Sequence, residues 1–258
     1  MSNILIKVEN LVKTFGGLVA LNNCSLEIKD KAITGIIGPN GSGKTTLFNV
    51  ITGNLKPDTG KVFYNGVEIT NEESHDLFHL GVLRTFQIAH EFSNMTVIEN
   101  LMVVPGNQKG EKLLYSLMNS NQIKKEDDII KDKAMEVLKF LKIEHLKNER
   151  AGNLSGGQKK LLELARTMMV DAKIVFLDEV GAGVNKTLLK DISDSIFKLN
   201  QDKGYTFCMI EHDFNFISEL CDPVIVLAEG SVLFKGSAEE VKSNEKVIES
   251  YLGKGIKK

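Results

Sequence analysis

Residues 38–45 constrain the fold of this chain more than any other segment, because they join a short apolar run to a helical pattern. The run Ile33–Ile37 has the composition of a buried strand, and from Lys44 onward apolar residues recur at helical spacing. Between them the spacing G-x-x-x-x-G-K-[ST] is met in full. Such a loop turns backbone N–H groups toward an anion, and the helix N-terminus adds its positive dipole end. The segment therefore predicts a phosphate-binding strand–loop–helix unit.

Three further apolar runs downstream, residues 174–177, 206–210 and 224–227, have the continuous character of strands that are covered on both faces. With the run before the phosphate loop, these make four predicted strands, and helical segments separate the first three. This alternation is typical of a parallel sheet in an α/β protein.

The N-terminal part has a different pattern. Alternating apolar residues in 5–8 and 24–28 indicate strands with a short turn at residues 15–17 between them, and residues 61–69 have the pattern of a tight β-hairpin. We therefore predict an antiparallel β subdomain beside the parallel sheet.

Residues from about 90 to 164 have mainly helical spacing. Within this lobe, residues 105–122 are irregular and polar except for one apolar patch, and we interpret them as a surface excursion. Whether the excursion has a function is open, because a tolerated insertion without function explains it equally well. A capping box at Ser237 predicts a final helix that continues to about Tyr251.

Two of the predicted core strands end in side chains suited to phosphate chemistry. Asp178 and Glu179 follow one run, and His212 follows another. Ligands of an open α/β sheet bind at the carboxyl ends of its strands. We expect Asp178 to hold Mg²⁺ together with the Thr45 hydroxyl, and Glu179 to take a proton from an attacking water. We expect His212 to donate to the γ-phosphate. The competing interpretation of the two carboxylates is an acidic helix cap.

A second glycine-rich segment, residues 154–158 (Leu-Ser-Gly-Gly-Gln), opens another helical pattern. A capping box alone explains Ser155 and Gln158. It does not explain Gly156 and Gly157, which weaken a first helical turn unless something approaches the backbone closely. Each glycine-rich segment starts its own helix, so one chain cannot easily bring both to the same phosphate. Together they predict a nucleotide held between two chains.

Composition disfavours several classes of function. The 258 residues carry a formal net charge of −2, so no basic field attracts nucleic acid. No apolar run approaches the ~20 residues that span a bilayer, and the N-terminus lacks a signal-peptide pattern. The three cysteines have neither metal nor disulfide spacing, which indicates buried free thiols in a reducing compartment. We expect a cytoplasmic protein that reaches a membrane through partners.

A GTPase or P-loop kinase is a further alternative for a chain with this loop. The segment Asn185-Lys186-Thr187-Leu188 ends in leucine where a guanine-specificity motif has aspartate. Such an enzyme would also have no need of residues 154–158.

In this order and spacing, residues 38–45, 154–158, 174–179 and His212 resemble the ATPase subunit of an ABC transporter, over essentially the whole chain. The resemblance implies that Phe15 stacks on adenine, although tyrosine is more usual there. It implies that Gln87 touches Mg²⁺ and senses a membrane subunit, and that the signature serine and second glycine contact the γ-phosphate of ATP bound to the opposite subunit. The cofactors implied are ATP and Mg²⁺.

The expected site residues fall into four groups. Those expected to bind the nucleotide are Phe15, Gly38, Pro39, Asn40, Gly41, Ser42, Gly43, Lys44, Thr45 and Thr46. Those expected to bind the metal are Thr45, Gln87 and Asp178. Those with catalytic roles are Glu179, His212 and Gln87, and those that act in trans are Ser155, Gly156, Gly157 and Gln158.

The resemblance implies one ABC ATPase domain over residues 1–258, with a P-loop NTPase (RecA-like) core. Residues 1–89 and 165–236 would form this core with the antiparallel β subdomain. Residues 90–164 would form an inserted helical subdomain, and residues 237–258 a C-terminal helix and tail.

Residues 13–21, 83–87 and 210–213, with the excursion at 105–130, are similar to one of the two ATPases of branched-chain amino acid uptake systems. This implies a head-to-tail dimer with a different ATPase chain, two permease subunits, an indirect link to a solute-binding protein, and a place on the cytoplasmic face of the membrane. The lipopolysaccharide-export ATPase shares much of the pattern but usually lacks so long an excursion, and it is the alternative.

The chain departs from the family pattern after Glu179. Val180 stands where proline is usual, and residues 181–185 differ from the common form of the loop that crosses the dimer. Valine restores a backbone donor and frees φ, so we expect some change in the placement of Glu179.

ABC proteins of DNA repair or translation carry a long coiled coil or two fused domains, and the length and charge of this chain argue against both.

Overall fold

The computed structural model describes residues 3–85, 91–106, 108 and 120–252. The chain forms two compact units, which are described separately. Unit 1 comprises residues 1–87, 173–182 and 196–258, and unit 2 comprises residues 88–172 and 183–195. The second segment of the predicted core starts at residue 165. This residue lies inside a helix, Gly156–Met168, that belongs entirely to unit 2.

The strands of unit 1 are β1 (Ile4–Phe15), β2 (Leu18–Lys29), β3 (Ile33–Ile37), β4 (Thr59–Tyr64), β5 (Val67–Glu68), β6 (Val82–Arg84), β7 (Ile174–Asp178), β8 (Thr206–Ile210), β9 (Val224–Ala228) and β10 (Ser231–Gly236). Its helices are α1 (Lys44–Ile51), α2 (Ser74–His79), α7 (Phe214–Leu220), α8 (Ala238–Ser243) and α9 (Glu245–Leu252). Unit 2 holds α3 (Val97–Met102), α4 (Ser120–Phe140) and α5 (Gly156–Met168), and α6 (Lys186–Lys203) begins in it.

The larger sheet of unit 1 has the order β10-β9-β3-β8-β7-β6, with every neighbouring pair parallel except β10 and β9. All residues of β3, β7 and β8 are buried, as their continuous apolar sequences predict. The register pairs Ile36 with Ile210 and Asp178 with Ile210, so the segments that follow these three strands share one edge of the sheet. That edge is where the site is built.

The smaller sheet of unit 1 is antiparallel, in the order β2-β1-β4-β5. The predicted turn at residues 15–17 and the predicted hairpin at 61–69 are both present. The fold-class prediction of a parallel core with an antiparallel subdomain and helices is confirmed.

Helix α1 packs against the parallel sheet through aromatic rings. The ring of Phe48 meets that of Phe176 on β7 edge-to-face, with centroids 5.0 Å apart, and both side chains are fully buried. This contact joins the helix after the phosphate loop to the strand that ends at Asp178.

Unit 2 is built around capped helices. Thr96 and Glu99 form a capping box at the start of α3. The fully buried Asn100 accepts from the Phe92 backbone N–H at 2.8 Å and donates to the Thr96 carbonyl at 2.9 Å, which fixes the turn ahead of that helix. Short 3₁₀ turns at Glu144–Leu146 and Ala151–Asn153 lead from α4 to α5.

Two sequence-based boundaries are wrong. The single C-terminal helix is interrupted at Asn244, whose backbone is extended and whose side chain accepts from the Val247 N–H at 3.2 Å, so a new helix starts there. The irregular stretch ends earlier than predicted, because α4 begins at Ser120; residues 107 and 109–119 of the excursion lie outside the described residues.

The three cysteines, all within the described ranges, are buried and free. Among the described residues, no helix combines the length and the apolar character needed to cross a membrane.

Candidate functional site

The phosphate loop of unit 1 is closed on its own lysine. Lys44 Nζ donates to the carbonyl oxygen of Gly38 at 2.8 Å and to that of Pro39 at 3.1 Å. The side chain is buried, whereas Thr45, the next residue of α1, is exposed. The ammonium therefore lies in the hollow of the loop, held by groups that an incoming anion can replace.

Glycine at position 43 is required by the backbone. Gly43 has a φ of +97° and is the N-cap of α1. A Cβ atom there would lie 2.4 Å from the carbonyl oxygen of Ala20, a backbone atom that cannot move aside cheaply. Having no side chain, Gly43 leaves the first N–H groups of α1 uncapped by its own residue, as an anion site needs.

The charge of Lys44 is balanced by two carboxylates. Burial lowers the pKa of Lys44 below its ordinary value, while the negative charges of Glu179 and Asp178 oppose that shift. An ammonium in this setting attracts an anion more strongly than one in water, because less solvent screens it.

Asp178 ends β7 almost completely buried, and Arg84 on β6 holds it. Arg84 Nη2 donates to Asp178 Oδ2 at 2.8 Å. In the sequence analysis Arg84 is included only as part of the segment 83–87, since nothing in its local pattern identifies a carboxylate that is distant along the chain.

The structure brings Glu179 and His212 together. His212 Nε2 lies 2.9 Å from Glu179 Oε1, and the Glu179 N–H donates to the carbonyl oxygen of Ile210 at 3.0 Å. Glu179 adopts a left-handed backbone with a φ of +52°, which is uncommon for a residue other than glycine. Backbone strain of this kind concentrates at functional sites.

Glu211 is a buried carboxyl group that the sequence analysis did not single out. Its Oε1 accepts from the Gly181 N–H at 2.8 Å, so it holds the loop that follows Glu179 and Val180. Val180 itself is buried. The loop that has valine in place of proline is thus fixed by a hydrogen bond from its Gly181 N–H to the side chain that follows β8. A glutamate directly before His212 at a strand end was the available signal.

Burial raises the pKa of Glu211 above its ordinary value of 4.5, against the lowering effect of the Gly181 and His212 N–H groups. The folded chain then binds the Glu211 proton more tightly than the unfolded chain does. We expect this contribution to the free energy of unfolding to be present below about pH 4.5 and to be lost as pH rises through the raised pKa.

The Glu211→Gln variant tests this, because glutamine keeps the acceptor oxygen and does not titrate. The wild-type chain should lose stability relative to this variant as pH rises from 4.5, and denaturant unfolding across that range measures the difference. Glu68→Gln, at an exposed ion pair with Lys61, is the control. Parallel pH profiles for wild type and Glu211→Gln would contradict the prediction.

Phe15 and Gln87 are also expected at this site. Phe15 is half exposed at the β1–β2 turn, with Lys13 Nζ 5.8 Å from the centroid of its ring. Gln87 lies outside the described residues.

Residues 154–158 belong to unit 2 and start α5. Ser155 is the N-cap: its hydroxyl accepts from the Gln158 N–H at 3.4 Å, and its own N–H donates to Gln158 Oε1 at 2.9 Å. The predicted capping box is present.

The two glycines of this segment differ in their surroundings. A Cβ atom at Gly157 would lie 2.1 Å from Leu188 Cδ2 and 3.3 Å from Val184 Cγ1, so a larger residue there would force the Leu188 side chain to move. A Cβ atom at Gly156 would meet nothing within 4 Å. Packing inside the described chain therefore explains Gly157 and leaves Gly156 unexplained.

On the in-trans role that the resemblance implies for Gly156, we expect Gly156→Ala to leave the chain folded and to stabilise α5 by up to about 1 kcal/mol, while slowing ATP hydrolysis by about tenfold or more, because a methyl group would fill the open side of this backbone. Thermal unfolding and steady-state hydrolysis measure the two effects. Lys159→Ala is unsuitable as a control because of its ion pair with Glu91, whereas the exposed Glu149→Ala is suitable. Unchanged hydrolysis in a stable Gly156→Ala chain would contradict the expectation.

Comparison with known proteins gives consistent matches. A family model described as "ABC transporter" matches residues 21–182, and one described as "Branched-chain amino acid ATP-binding cassette transporter" matches residues 231–257. The chain is 43% identical to LivG of Archaeoglobus fulgidus, named a probable branched-chain amino acid transport ATP-binding protein, over 96% of this chain and 95% of that protein.

Solved structures agree with the fold. A nucleotide-free ATP-binding cassette from an ABC transporter superposes with a TM-score of 0.83 at 41% identity, covering 97% of this chain and all of that one. A dimeric ATP-binding cassette in a post-hydrolysis state, bound to ADP and Pi, superposes with a TM-score of 0.74 at 25% identity, covering 91% of this chain and 99% of that one.

Proposed function

Because this chain belongs to the ABC transporter family, we propose that it is the ATP-hydrolysing subunit of an importer that takes up branched-chain amino acids. ATP binding and hydrolysis follow from membership of the family. The solute is supported by the C-terminal match at residues 231–257 and by the names of full-length relatives. The same match favours import over lipopolysaccharide export.

The observation that carries the catalytic part is the shared sheet edge of unit 1. There the phosphate loop, Asp178, Glu179 and His212 follow three neighbouring parallel strands. We propose that the ATP phosphates lie in the loop, with Lys44 moving from the carbonyl oxygens of Gly38 and Pro39 to phosphate oxygens. Residues 38–46 would supply the backbone and hydroxyl donors, and Phe15 would pack against the adenine.

The donor set at this edge suits a magnesium ion. Thr45 offers an exposed hydroxyl and Asp178 a carboxylate, and hard oxygen ligands are those that Mg²⁺ prefers. When bound, Mg²⁺ neutralises charge on the phosphates. We propose Thr45 and Asp178 as its protein ligands, with Gln87 as the third.

Glu179 and His212 would act on the attacking water and the γ-phosphate. With its carboxylate 19% exposed and held 2.9 Å from His212 Nε2, Glu179 suits the role of a base that orients a water and accepts its proton. The imidazole would then donate to a γ-phosphate oxygen. Catalysis of this kind rests on positioning and charge stabilisation.

A complete site would need a second ATPase chain. We propose a head-to-tail dimer in which residues 155–158 of one chain reach the phosphates bound to the other. The open side of Gly156 and the uncrowded start of α5 support this arrangement. The second ATPase would be a different chain, and the dimer would drive two permease subunits at the cytoplasmic face of the membrane, supplied by a solute-binding protein.

Uptake of labelled leucine by cells that carry or lack this chain tests the proposed solute. We expect deletion to abolish the high-affinity uptake, the wild-type chain to restore it, and the Glu179→Gln variant to fail to restore it. Leucine uptake that is unchanged by the deletion would refute import of branched-chain amino acids while leaving ATP hydrolysis untouched.

A further inference from the structure

Arg84 joins two parts of the catalytic edge that are far apart in sequence. Its Nη2 donates to Asp178 Oδ2 at 2.8 Å at the end of β7, and its Nη1 donates to Asn49 Oδ1 on α1. The guanidinium carbon lies 5.8 Å from the centroid of the Phe48 ring. Arg84 thus contacts both the helix that starts at Lys44 and the strand that ends at Asp178.

Arginine is suited to this place by its shape. A guanidinium carries its donors in a planar fork, so one side chain can address two acceptors in fixed directions and lie beside an aromatic ring. Lysine has a single ammonium at the end of a flexible stem. At this position lysine can retain the positive charge without retaining both contacts.

The ion pair between Arg84 and Asp178 is buried. The two side chains are 7% and 3% exposed. A buried ion pair of this kind adds little net stability, but removal of one partner leaves an uncompensated charge. The consequence of this ion pair is geometric, because the rigid guanidinium fixes the orientation of one oxygen of the Asp178 carboxylate.

We infer that Arg84 is a positioning residue for ATP hydrolysis, which fixes the Asp178 carboxylate relative to the helix that carries Lys44 and Thr45. Replacing a partner that orients a metal ligand typically lowers metal affinity or activity by about 10- to 100-fold. The inference rests on the ATPase activity of the chain and not on the transported solute.

Two variants separate charge from geometry. Arg84→Lys keeps the charge beside Asp178 and loses the fork, and Asn49→Ala keeps the buried ion pair and removes the hydrogen bond from Arg84 to α1. Asn54→Ala is the matched control, since the Asn54 amide donates to Thr52 Oγ1 just after α1.

The first readout is independent of turnover: thermal unfolding with a non-hydrolysable ATP analogue at fixed concentration, while magnesium is varied. We expect the half-maximal magnesium concentration to rise by about tenfold or more in Arg84→Lys and by less in Asn49→Ala. The shift with analogue and EDTA should match that of wild type, because the phosphate loop is intact.

The second readout is steady-state hydrolysis. We expect Arg84→Lys to lower kcat by about 10- to 100-fold, with the KM for ATP at saturating magnesium little changed. The Arg84→Lys/Asn49→Ala double variant should be no slower than Arg84→Lys alone, because both changes break one connection.

Either of two results would overturn the inference. One is a half-maximal magnesium concentration equal to that of wild type in both Asn49→Ala and Arg84→Lys. The other is a loss of kcat in the double variant equal to the sum, in free energy, of the losses in the two single variants. If Arg84→Lys does not fold, Asn49→Ala decides alone, because it leaves no buried charge unpaired. Absence of hydrolysis by the wild-type chain would instead refute the ATPase function, so the two failures are distinguishable.

Discussion

Glu179→Gln is expected to hydrolyse ATP about 10²–10⁴-fold more slowly than the wild-type chain, the range that a positioned base typically contributes. Glutamine keeps the size and the hydrogen-bonding reach toward His212 but cannot accept a proton. ATP binding should be unchanged, because the phosphate loop and Asp178 are untouched. Steady-state phosphate release and equilibrium ATP binding measure the two effects separately.

The same variant should accumulate the proposed ATP-bound dimer, which gel filtration with and without ATP detects in the presence of the proposed second ATPase chain. Glu68→Gln, whose carboxylate pairs with Lys61 at the surface of unit 1, is the matched control and should hydrolyse ATP normally. Hydrolysis by Glu179→Gln at the wild-type rate would show that another group accepts the proton.

Gly43→Ala is expected to raise the Kd for ATP by about 100-fold or more, equivalent to roughly 2.8 kcal/mol. Two effects combine: the methyl group would meet the Ala20 carbonyl oxygen at 2.4 Å, and a φ of +97° is strained for alanine, at about 1–3 kcal/mol. The loop must move to relieve both, and Lys44 moves with it.

Gly41→Ala is the matched comparison within the same loop. Gly41 also has a positive φ, +79°, but a Cβ atom there would meet nothing within 4 Å. Its cost should be limited to backbone strain of about 1–2 kcal/mol. Equilibrium binding of ATP and denaturant unfolding of both variants test the contrast, and equal losses of affinity in the two would argue against steric closure at Gly43.

Much of the fold could be predicted because its signals are local. The apolar runs of β3, β7 and β8 lie next to helical segments along the chain, and the loop after β3 carries its glycines and lysine in consecutive positions. The capping boxes at Ser155 and Ser237 are likewise each contained within four consecutive residues. Such patterns survive without knowledge of the tertiary structure.

The contacts that could not be predicted are those between distant segments. Arg84 and Asp178 are 94 residues apart in sequence, and Glu211 and Gly181 are 30 apart. Burial and register decide both pairings. The interruption at Asn244 was missed for a different reason: its helix-capping amide competes with helix continuation, and the choice depends on how each short helix packs.

The lysine of the phosphate loop has a consequence for the turnover cycle. Because Lys44 is bonded to two carbonyl oxygens of its own loop, the side chain and the loop backbone hold each other, and little conformational freedom is left to lose when an anion replaces those oxygens. When product leaves, the ammonium can return to the same two acceptors without passing through a disordered loop. We therefore expect that rebuilding of the phosphate loop does not limit the pace of repeated cycles.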